Sequence, residues 1–145
     1  MRLSNLADYA VVLMSAASRH CGAPRVSAAT LAEETGLSAA TSQKLIHALV
    51  RAGLLRAVRG AGGGVKLSRP AAAISLAEII EAVEGPISMT ACVDSVRHAR
   101  GDACALEGNC RVQPHWPAVN GAVRHALAGI NLASLGMTTQ AGAVQ

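Results

Sequence analysis

The sequence predicts a mostly α-helical fold with a small β-hairpin wing, that is, a winged helix-turn-helix domain followed by a long C-terminal dimerisation helix. Two helical segments meet at a glycine turn, a glycine-rich hairpin follows them directly, and a heptad-like apolar pattern lies near the C-terminus. We predict a winged domain over 1–70, a connecting helix over 71–91, a cysteine loop over 92–113, a dimerisation helix over 114–135 and a disordered tail over 136–145.

The first helix is predicted over residues 5–18, with Ser4 as its N-cap. Apolar residues recur at i, i+3, i+4 and i+7 from Leu6 to Ala17 and mark the buried face. Asp8 lies off this stripe, where its default role is a favourable charge in the first helical turn.

A helix-turn-helix is predicted next, because a short helix capped by Ser27 ends at Gly36 and a longer one follows to about residue 52. In this motif the start of the second helix meets the base edges of DNA. The predicted DNA-contacting residues at this end are Ser38, Ala39, Thr41, Ser42 and Lys44, and Lys44 can reach either guanine acceptors or a phosphate.

A hairpin follows the recognition helix directly and is therefore predicted to be a wing. Arg59 stands at its tip, where it can enter a minor groove, and Gly62 and Gly63 let the backbone approach DNA closely. Six basic residues and no acidic one lie between positions 38 and 69, a one-signed stretch that suits a phosphate backbone. Arg51 and Lys66 belong to it and complete the predicted DNA contacts.

The connecting helix has a clear start, because Ser75 and Glu78 form a capping box and Ile74 can pack on Ile79 as a hydrophobic staple. Gly85 and the proline after it are predicted to end this helix.

Three of the four cysteines follow in a polar segment with the spacing C-x11-C-x5-C, namely Cys92, Cys104 and Cys110. Cysteine is usually a small buried residue, so this placement indicates a metal site, and thiolates in a loop can hold an iron–sulfur cluster. Zinc with His98 or His115 is one alternative, although zinc ligands usually come in closely spaced cysteine pairs. Cluster-free, redox-reactive thiols are the other.

The C-terminal helix carries an apolar seam formed by Trp116, Val119, Val123, Leu127 and Ile130. Its steps of three and four residues favour a helix that pairs with a second copy, because helix-turn-helix operators are two-fold symmetric. Packing on the chain's own core is the alternative.

Composition excludes several classes of protein. With one Trp, one Tyr and no Phe, stacking on single-stranded bases is disfavoured. No apolar run is long enough to cross a bilayer, and no signal peptide is recognisable, so we predict a cytoplasmic protein without a membrane partner. The five histidines have no nucleophile at a legible spacing, and an iron–sulfur carrier would not need the basic hairpin, so neither an enzyme nor a carrier is favoured.

The order of these parts resembles the family of winged-helix regulators that includes IscR, NsrR and CymR. The matching stretches, which cover roughly residues 1–135, are LADYAVVLM, LSAATSQKLIHALVRAGLL, VRGAGGGVKLSRP and ISLAEIIEAVEG, followed by three cysteines and a Trp. The stretch ISLAEIIEAVEGPISMTAC resembles the branch that regulates the SUF operon for iron–sulfur cluster assembly.

This resemblance implies a homodimer that binds double-stranded promoter DNA and represses cluster-assembly genes. It implies a cluster, 2Fe–2S or 4Fe–4S, on the three cysteines. Some members take a fourth ligand from an acidic residue on the first helix of the partner, where this chain has Asp8; others use a histidine at the position of Gln113, and His115 is a stand-in.

Overall fold

The computed structural model describes residues 2–137, and it is mostly helical with one antiparallel hairpin, as the sequence predicts. Its helices and strands are α1 (Asn5–Ser18), α2 (Ala28–Thr35), α3 (Ala39–Arg51), β1 (Leu55–Val58), β2 (Gly64–Leu67), α4 (Leu76–Glu84), α5 (Ser95–Ala99), α6 (Trp116–Ala128) and α7 (Leu132–Met137).

The first three helices begin at the predicted caps. The hydroxyls of Ser4, Ser27 and Ser38 each accept a hydrogen bond, 3.0–3.1 Å long, from the backbone N–H three residues further on. Gly36 ends α2 with a φ of 73°, in the left-handed region where glycine carries no steric cost. Local capping therefore sets the turn of the helix-turn-helix.

The wing contains a third extended segment that the sequence does not reveal. β1 pairs with β2, and Val26 exchanges two backbone hydrogen bonds, of 2.9 and 2.8 Å, with Val65 on the other side of β2. Gly64 lies against this segment, and a side chain there would collide with the carbonyl oxygen of Val26. Gly64 therefore permits the close approach of the chain's own backbone, a different role from the approach to DNA predicted for Gly62 and Gly63.

The core lies between α1, α2, α3, α4 and the base of the hairpin. Its largest fully buried apolar side chains are Leu13, Met14, Leu31, Leu45, Leu49, Leu54, Ile74, Ile79 and Leu132. The predicted capping box is present in α4, where Ser75 accepts from the backbone of Glu78 and the Glu78 carboxylate accepts from the backbone of Ser75. These hydrogen bonds and the neighbouring Arg69 lower the pKa of Glu78.

The single helix predicted over residues 114–135 is wrong, because α6 ends at Ala128. The chain then turns back, and Leu132 at the start of α7 is fully buried in the core. Two backbone hydrogen bonds of 2.8 Å hold this return: the Leu76 N–H donates to Ile130, and the Leu132 N–H donates to Ile74. Positions 136 and 137 of the predicted tail lie within α7, and positions 138–145 lie outside the described residues.

The cysteine loop also contains more structure than predicted, since α5 forms within it. The Asp94 carboxylate accepts hydrogen bonds from the backbone N–H groups of Val96 and Arg97, at 3.0 and 3.1 Å. These two hydrogen bonds lower the pKa of the Asp94 carboxyl, and the one from the Arg97 backbone has the larger effect. A capping aspartate therefore starts a helix whose apolar pattern is too short to detect in the sequence.

Candidate functional site

Helix α3 turns one polar face outward, but Ser42 is not on it. Ser42 is 1% exposed and lies on the same side as Leu45, Ile46 and Leu49. Within the described residues its hydroxyl has no hydrogen-bond partner. The prediction that Ser42 contacts DNA is therefore wrong for this structure, because helical periodicity places it in the core.

The outward face of α3 includes two residues that the sequence reasoning missed. Gln43 and His47 are exposed, one turn apart, and with Arg51 they line a groove of about 570 Å³ between α3 and the wing. Counting in steps of four from Ala39, on the side opposite Leu45, would have found them. Ala39 and Lys44, which we predicted to contact DNA, are both exposed in the N-terminal half of α3.

Two predicted contact residues take part in the N-cap of α3, with Ser38 as the cap. The Ser38 hydroxyl donates to the hydroxyl of Thr41 at 2.9 Å and accepts from the Thr41 backbone N–H. Ser38 is exposed and Thr41 is half-buried. The hydroxyl groups of Ser38 and Thr41 are therefore already hydrogen-bonded to each other in the absence of DNA.

The wing tip is braced from the rest of the domain. Arg25 donates through Nη2 to the carbonyl of Ala61 at 2.8 Å, and Gly62, beside it, has a φ of 70°. Arg59 and Gly63 are exposed on this tip. The hydrogen bond from Arg25 thus fixes the turn that carries Arg59, the residue predicted to enter the minor groove.

The outer face of the hairpin is positively charged. Arg56 on β1 lies directly opposite Lys66 on β2, and both side chains are exposed. Like charges on directly opposite residues of paired strands repel each other. Binding of an anion against this face would relieve the repulsion between Arg56 and Lys66. Arg51 at the end of α3 adds to the same field.

The three predicted metal-binding cysteines line one cavity. Cys92, Cys104 and Cys110 are free thiols that surround a space of about 240 Å³ beside Trp116, together with Glu107. Over residues 2–137 there is no group of three Cys, His, Asp or Glu side chains close enough to hold a metal ion. The three thiols therefore line one cavity, but they are not close enough together to form a binding site for a single metal ion.

The other predicted ligands lie off this cavity. Asp8 is exposed in the first turn of α1, and His115 is exposed just before α6. The Nε2–H of His98 donates to the carbonyl of Cys92 at 3.2 Å, and Nε2 is 3.6 Å from Oε1 of Glu107. Within one protomer, neither histidine completes the zinc set considered above.

A network of polar contacts joins the cysteine segment to the DNA-binding domain. Asn120 on α6 accepts from the Met89 N–H and donates to the Ile87 carbonyl, both at 2.9 Å. Arg124, one turn later, donates through Nε and Nη2 to the two carboxylate oxygens of Glu81 on α4, at 2.8 and 3.0 Å. These hydrogen bonds lower the pKa of Glu81 and raise that of Arg124.

The apolar seam of α6 is only partly covered in the protomer, since Trp116, Val123 and Leu127 are half-buried. No residue of α6 is buried among the described part of the chain, and Val119 is 43% exposed. Ile130, just beyond the helix, is 40% exposed. The seam therefore leaves Val119 and Ile130 open to solvent, whereas its other three residues are partly covered by the chain itself.

A helix-turn-helix followed by a basic, braced hairpin defines a DNA-binding protein of the winged-helix class. The chain belongs to the Rrf2 family, whose sequence model, described as "Iron-dependent Transcriptional regulator", matches residues 3–137. It is a DNA-binding transcription regulator and not an enzyme.

Individual relatives agree with this assignment. A putative HTH-type transcriptional regulator of Azotobacter vinelandii, ORF2, is 35% identical over 136 residues, which cover 93% of this chain and 79% of that protein. The structure of T. potens IscR is similar with a TM-score of 0.68 at 29% identity, covering 100% of this chain and 93% of that one. The structure of CymR, titled the global cysteine regulator of B. subtilis, has a TM-score of 0.71 at 26% identity, covering 96% and 98%.

None of the helices described over residues 2–137 has both the length and the apolar character needed to cross a membrane.

Proposed function

We propose that this protein is a cytoplasmic, homodimeric regulator that senses an iron–sulfur cluster held by Cys92, Cys104 and Cys110 and represses cluster-assembly genes. One observation supports this most strongly. Three cysteines that are spread along a polar segment line a single cavity at the foot of α6. The family description and the similarity to IscR support iron as the signal.

The donor set fits a cluster better than a single ion. Iron–sulfur clusters take thiolate ligands, and all three thiols are free. A cluster presents several iron corners, so it can engage thiolates that are too far apart for one zinc ion. When bound, the cluster would supply a redox-sensitive and oxidant-sensitive centre between the thiolates.

The chain's own contacts indicate how this cavity can affect DNA binding. Cys92 follows the segment of residues 87–89 that Asn120 holds on α6. Arg124 in turn holds Glu81 on α4, and α4 packs against both α1 and the recognition helix α3. A change in the order of the cysteine loop therefore reaches α3 through side chains already in contact, and shifts the population that is competent to bind DNA.

The two seam residues that the protomer leaves exposed, Val119 and Ile130, support the dimer. Two copies joined along this seam would present two recognition helices to the two halves of an operator. Sedimentation of the wild-type protein and of Val119→Glu measures this directly. A wild-type protein that stays monomeric at micromolar concentration would contradict the dimer.

Purification without air tests the cluster. We expect a coloured protein that contains iron and acid-labile sulfide and whose affinity for duplex DNA changes when the cluster is removed. A colourless preparation without iron or sulfide, obtained with air excluded throughout, would refute the cluster proposal.

Cys92→Ala tests the sensing role against a matched control. Loss of one thiolate should remove the cluster response while basal DNA binding remains, since Cys92 lies away from the DNA face. Cys21→Ala is the control, because Cys21 is an exposed thiol outside the cavity. A Cys92→Ala protein that responds to oxidants as the parent does would exclude the cavity as the sensor.

A regulator that uses its thiols without a cluster, or binds zinc, is the second candidate. The similarity to the oxidized form of Staphylococcus aureus CymR supports it, because that protein has the same fold, with a TM-score of 0.69 at 30% identity, and has been described in an oxidized state. Metal analysis separates the cases: iron with sulfide indicates the cluster, zinc alone indicates a zinc site, and neither indicates thiol chemistry.

A further inference from the structure

The fourth ligand of the proposed cluster has a candidate that the sequence reasoning did not single out. Three thiolates leave one position of a four-ligand set to another donor. Asp8 and His115 do not line the cavity in the protomer, and His98 is hydrogen-bonded to the backbone of Cys92.

Glu107 lines the cavity together with the three cysteines. Among the described residues around that cavity, Glu107 carries the only carboxylate. Its backbone N–H donates to the carbonyl of Cys104 at 3.0 Å, and the 3₁₀ turn Glu107–Asn109 leads directly into Cys110. Glu107 lies three residues from each of these cysteines, so any movement of the loop that brings the two thiols together brings the carboxylate with them.

His98 supports the carboxylate from outside the cavity. Its Nε2 lies 3.6 Å from Oε1 of Glu107 and 3.2 Å from the carbonyl oxygen of Cys92. The single hydrogen on Nε2 is donated to the Cys92 carbonyl, so the 3.6 Å approach to Oε1 of Glu107 is a close polar contact and not a hydrogen bond, and it leaves the second carboxylate oxygen available. His98 thereby ties the Cys92 end of the loop to the end that carries the other two thiols.

We propose that Glu107 is the fourth cluster ligand, supplied by the same protomer as the thiolates, and that His98 positions it. This inference depends on the proposed function, because it requires that a cluster is bound. A carboxylate oxygen is a harder donor than a thiolate, so the corner held by Glu107 is the one most open to ligand exchange. The cluster site would then be complete within one chain.

Anaerobic reconstitution of matched variants tests this proposal. Iron and sulfide content, the visible circular dichroism spectrum, the midpoint potential and the rate of cluster loss are measured for wild type, Glu107→Gln, Glu107→Cys and Asp8→Asn. We expect Glu107→Gln to change the spectrum and to lose its cluster at least about tenfold faster, because removal of a ligand should cost no less than the roughly tenfold loss of metal affinity that follows removal of an outer-shell partner. Glu107→Cys should keep a cluster with a shifted spectrum and potential, because a thiolate replaces an oxygen donor.

Controls separate ligation from folding. Glu33→Gln removes an exposed carboxylate on α2 and should match wild type. His98→Ala should shorten the cluster lifetime less than Glu107→Gln does, as a positioning residue would. Thermal unfolding and duplex binding of the cluster-free proteins verify that each variant is folded.

Two results overturn the inference. If Glu107→Gln keeps the spectrum, potential and cluster lifetime of wild type while Asp8→Asn loses them, the ligand comes from the first helix of a partner. If Glu107→Gln has no larger effect than Glu33→Gln, the carboxylate is not a ligand. A wild-type protein that binds no iron is a different result, seen in the first measurement, and it refutes the proposed function itself.

Discussion

At the scale of single residues, position along a helix or a strand decides what each side chain can do. Ser42 and Gln43 are neighbours in α3, yet the first is buried and the second is exposed. Gly64 and Gly63 are neighbours in the wing, yet a side chain at position 64 would strike the backbone carbonyl of Val26. Residue type alone does not separate these pairs.

We predict that Gly64→Ala destabilises the wing. The added methyl must push apart the paired segments at Val26 and Val65, and overpacking of this kind costs about 2 kcal/mol. Chemical denaturation measures the loss. Gly22→Ala is the control, because no atom lies within 4 Å of the methyl it would add; equal stability of the two variants would contradict the prediction.

We predict that Gln43→Ala alters sequence preference whereas Lys44→Ala weakens binding to all sequences. A glutamine side chain can make two hydrogen bonds to adenine in the major groove, and such a pair contributes about 1–3 kcal/mol of discrimination. For Lys44 we predict the phosphate contact, and a lysine on a phosphate contributes charge without reading bases. Affinities for a selected duplex and its single-base variants distinguish the two, and a uniform loss for Gln43→Ala would exclude base reading.

At the scale of elements, the helices are fixed by local signals and by a few long-range polar contacts. The caps of α1, α2, α3 and α4 are all legible in the sequence, because capping depends on residues within three positions of one another. The contacts of Asn120 with the segment after α4, and of Arg124 with Glu81 on α4, join positions more than thirty residues apart. No local pattern predicts such contacts.

The pair formed by Glu81 and Arg124 predicts an acid-dependent loss of stability. Arg124 lowers the pKa of Glu81 in the folded protein below its ordinary value of 4.5, so the folded state binds a proton less readily than the unfolded state. The contribution is therefore complete above the ordinary pKa and is lost as the pH falls through the lowered one.

Unfolding of wild type and of Arg124→Ala at several pH values measures this contribution. The difference in the free energy of unfolding should be largest near neutral pH and should shrink as the solution becomes acidic. Arg111→Ala, which removes an exposed arginine of the cysteine loop, serves as the control. A difference that stays constant with pH would show that Glu81 is not the group involved.

The C-terminal region shows where prediction from sequence ends. The heptad-like pattern from Trp116 to Ile130 predicts one helix, yet Gly129 closes α6 and Leu132 returns to the core. The apolar spacing is the same whether Leu132 packs on a partner or on its own domain. Likewise, the sequence spacing of the cysteines indicates that they serve a common site, but only the fold adds Glu107 to the cavity.

At the scale of the whole molecule, charge and chemistry are segregated. The recognition helix and the wing carry the acid-free basic stretch, and the cysteine cavity lies in the segment that leads to α6. A regulator benefits from this separation, because the signal can change without altering the residues that contact DNA.

Salt dependence of DNA binding tests this segregation. We expect the logarithm of the association constant to fall steeply with the logarithm of salt concentration. Replacing either Arg56 or Lys66 by alanine should make this negative slope shallower by about one unit, since each side chain neutralises one phosphate. Arg100→Ala, in the cysteine segment, should leave the slope unchanged; a loss equal to that of Arg56→Ala would place DNA contacts outside the wing.

The backbone hydrogen bonds between residues 74–76 and 130–132 have a consequence for how such proteins diversify. They return the chain to the start of α4, whose side chains belong to the core, so the portion between the end of α4 and residue 130 is an excursion that begins and ends on the domain. An excursion of this kind can be exchanged for a foreign one without unravelling the domain that supports it. Grafting experiments could therefore give one promoter-binding head a new trigger, and gene duplication has the same route open to it.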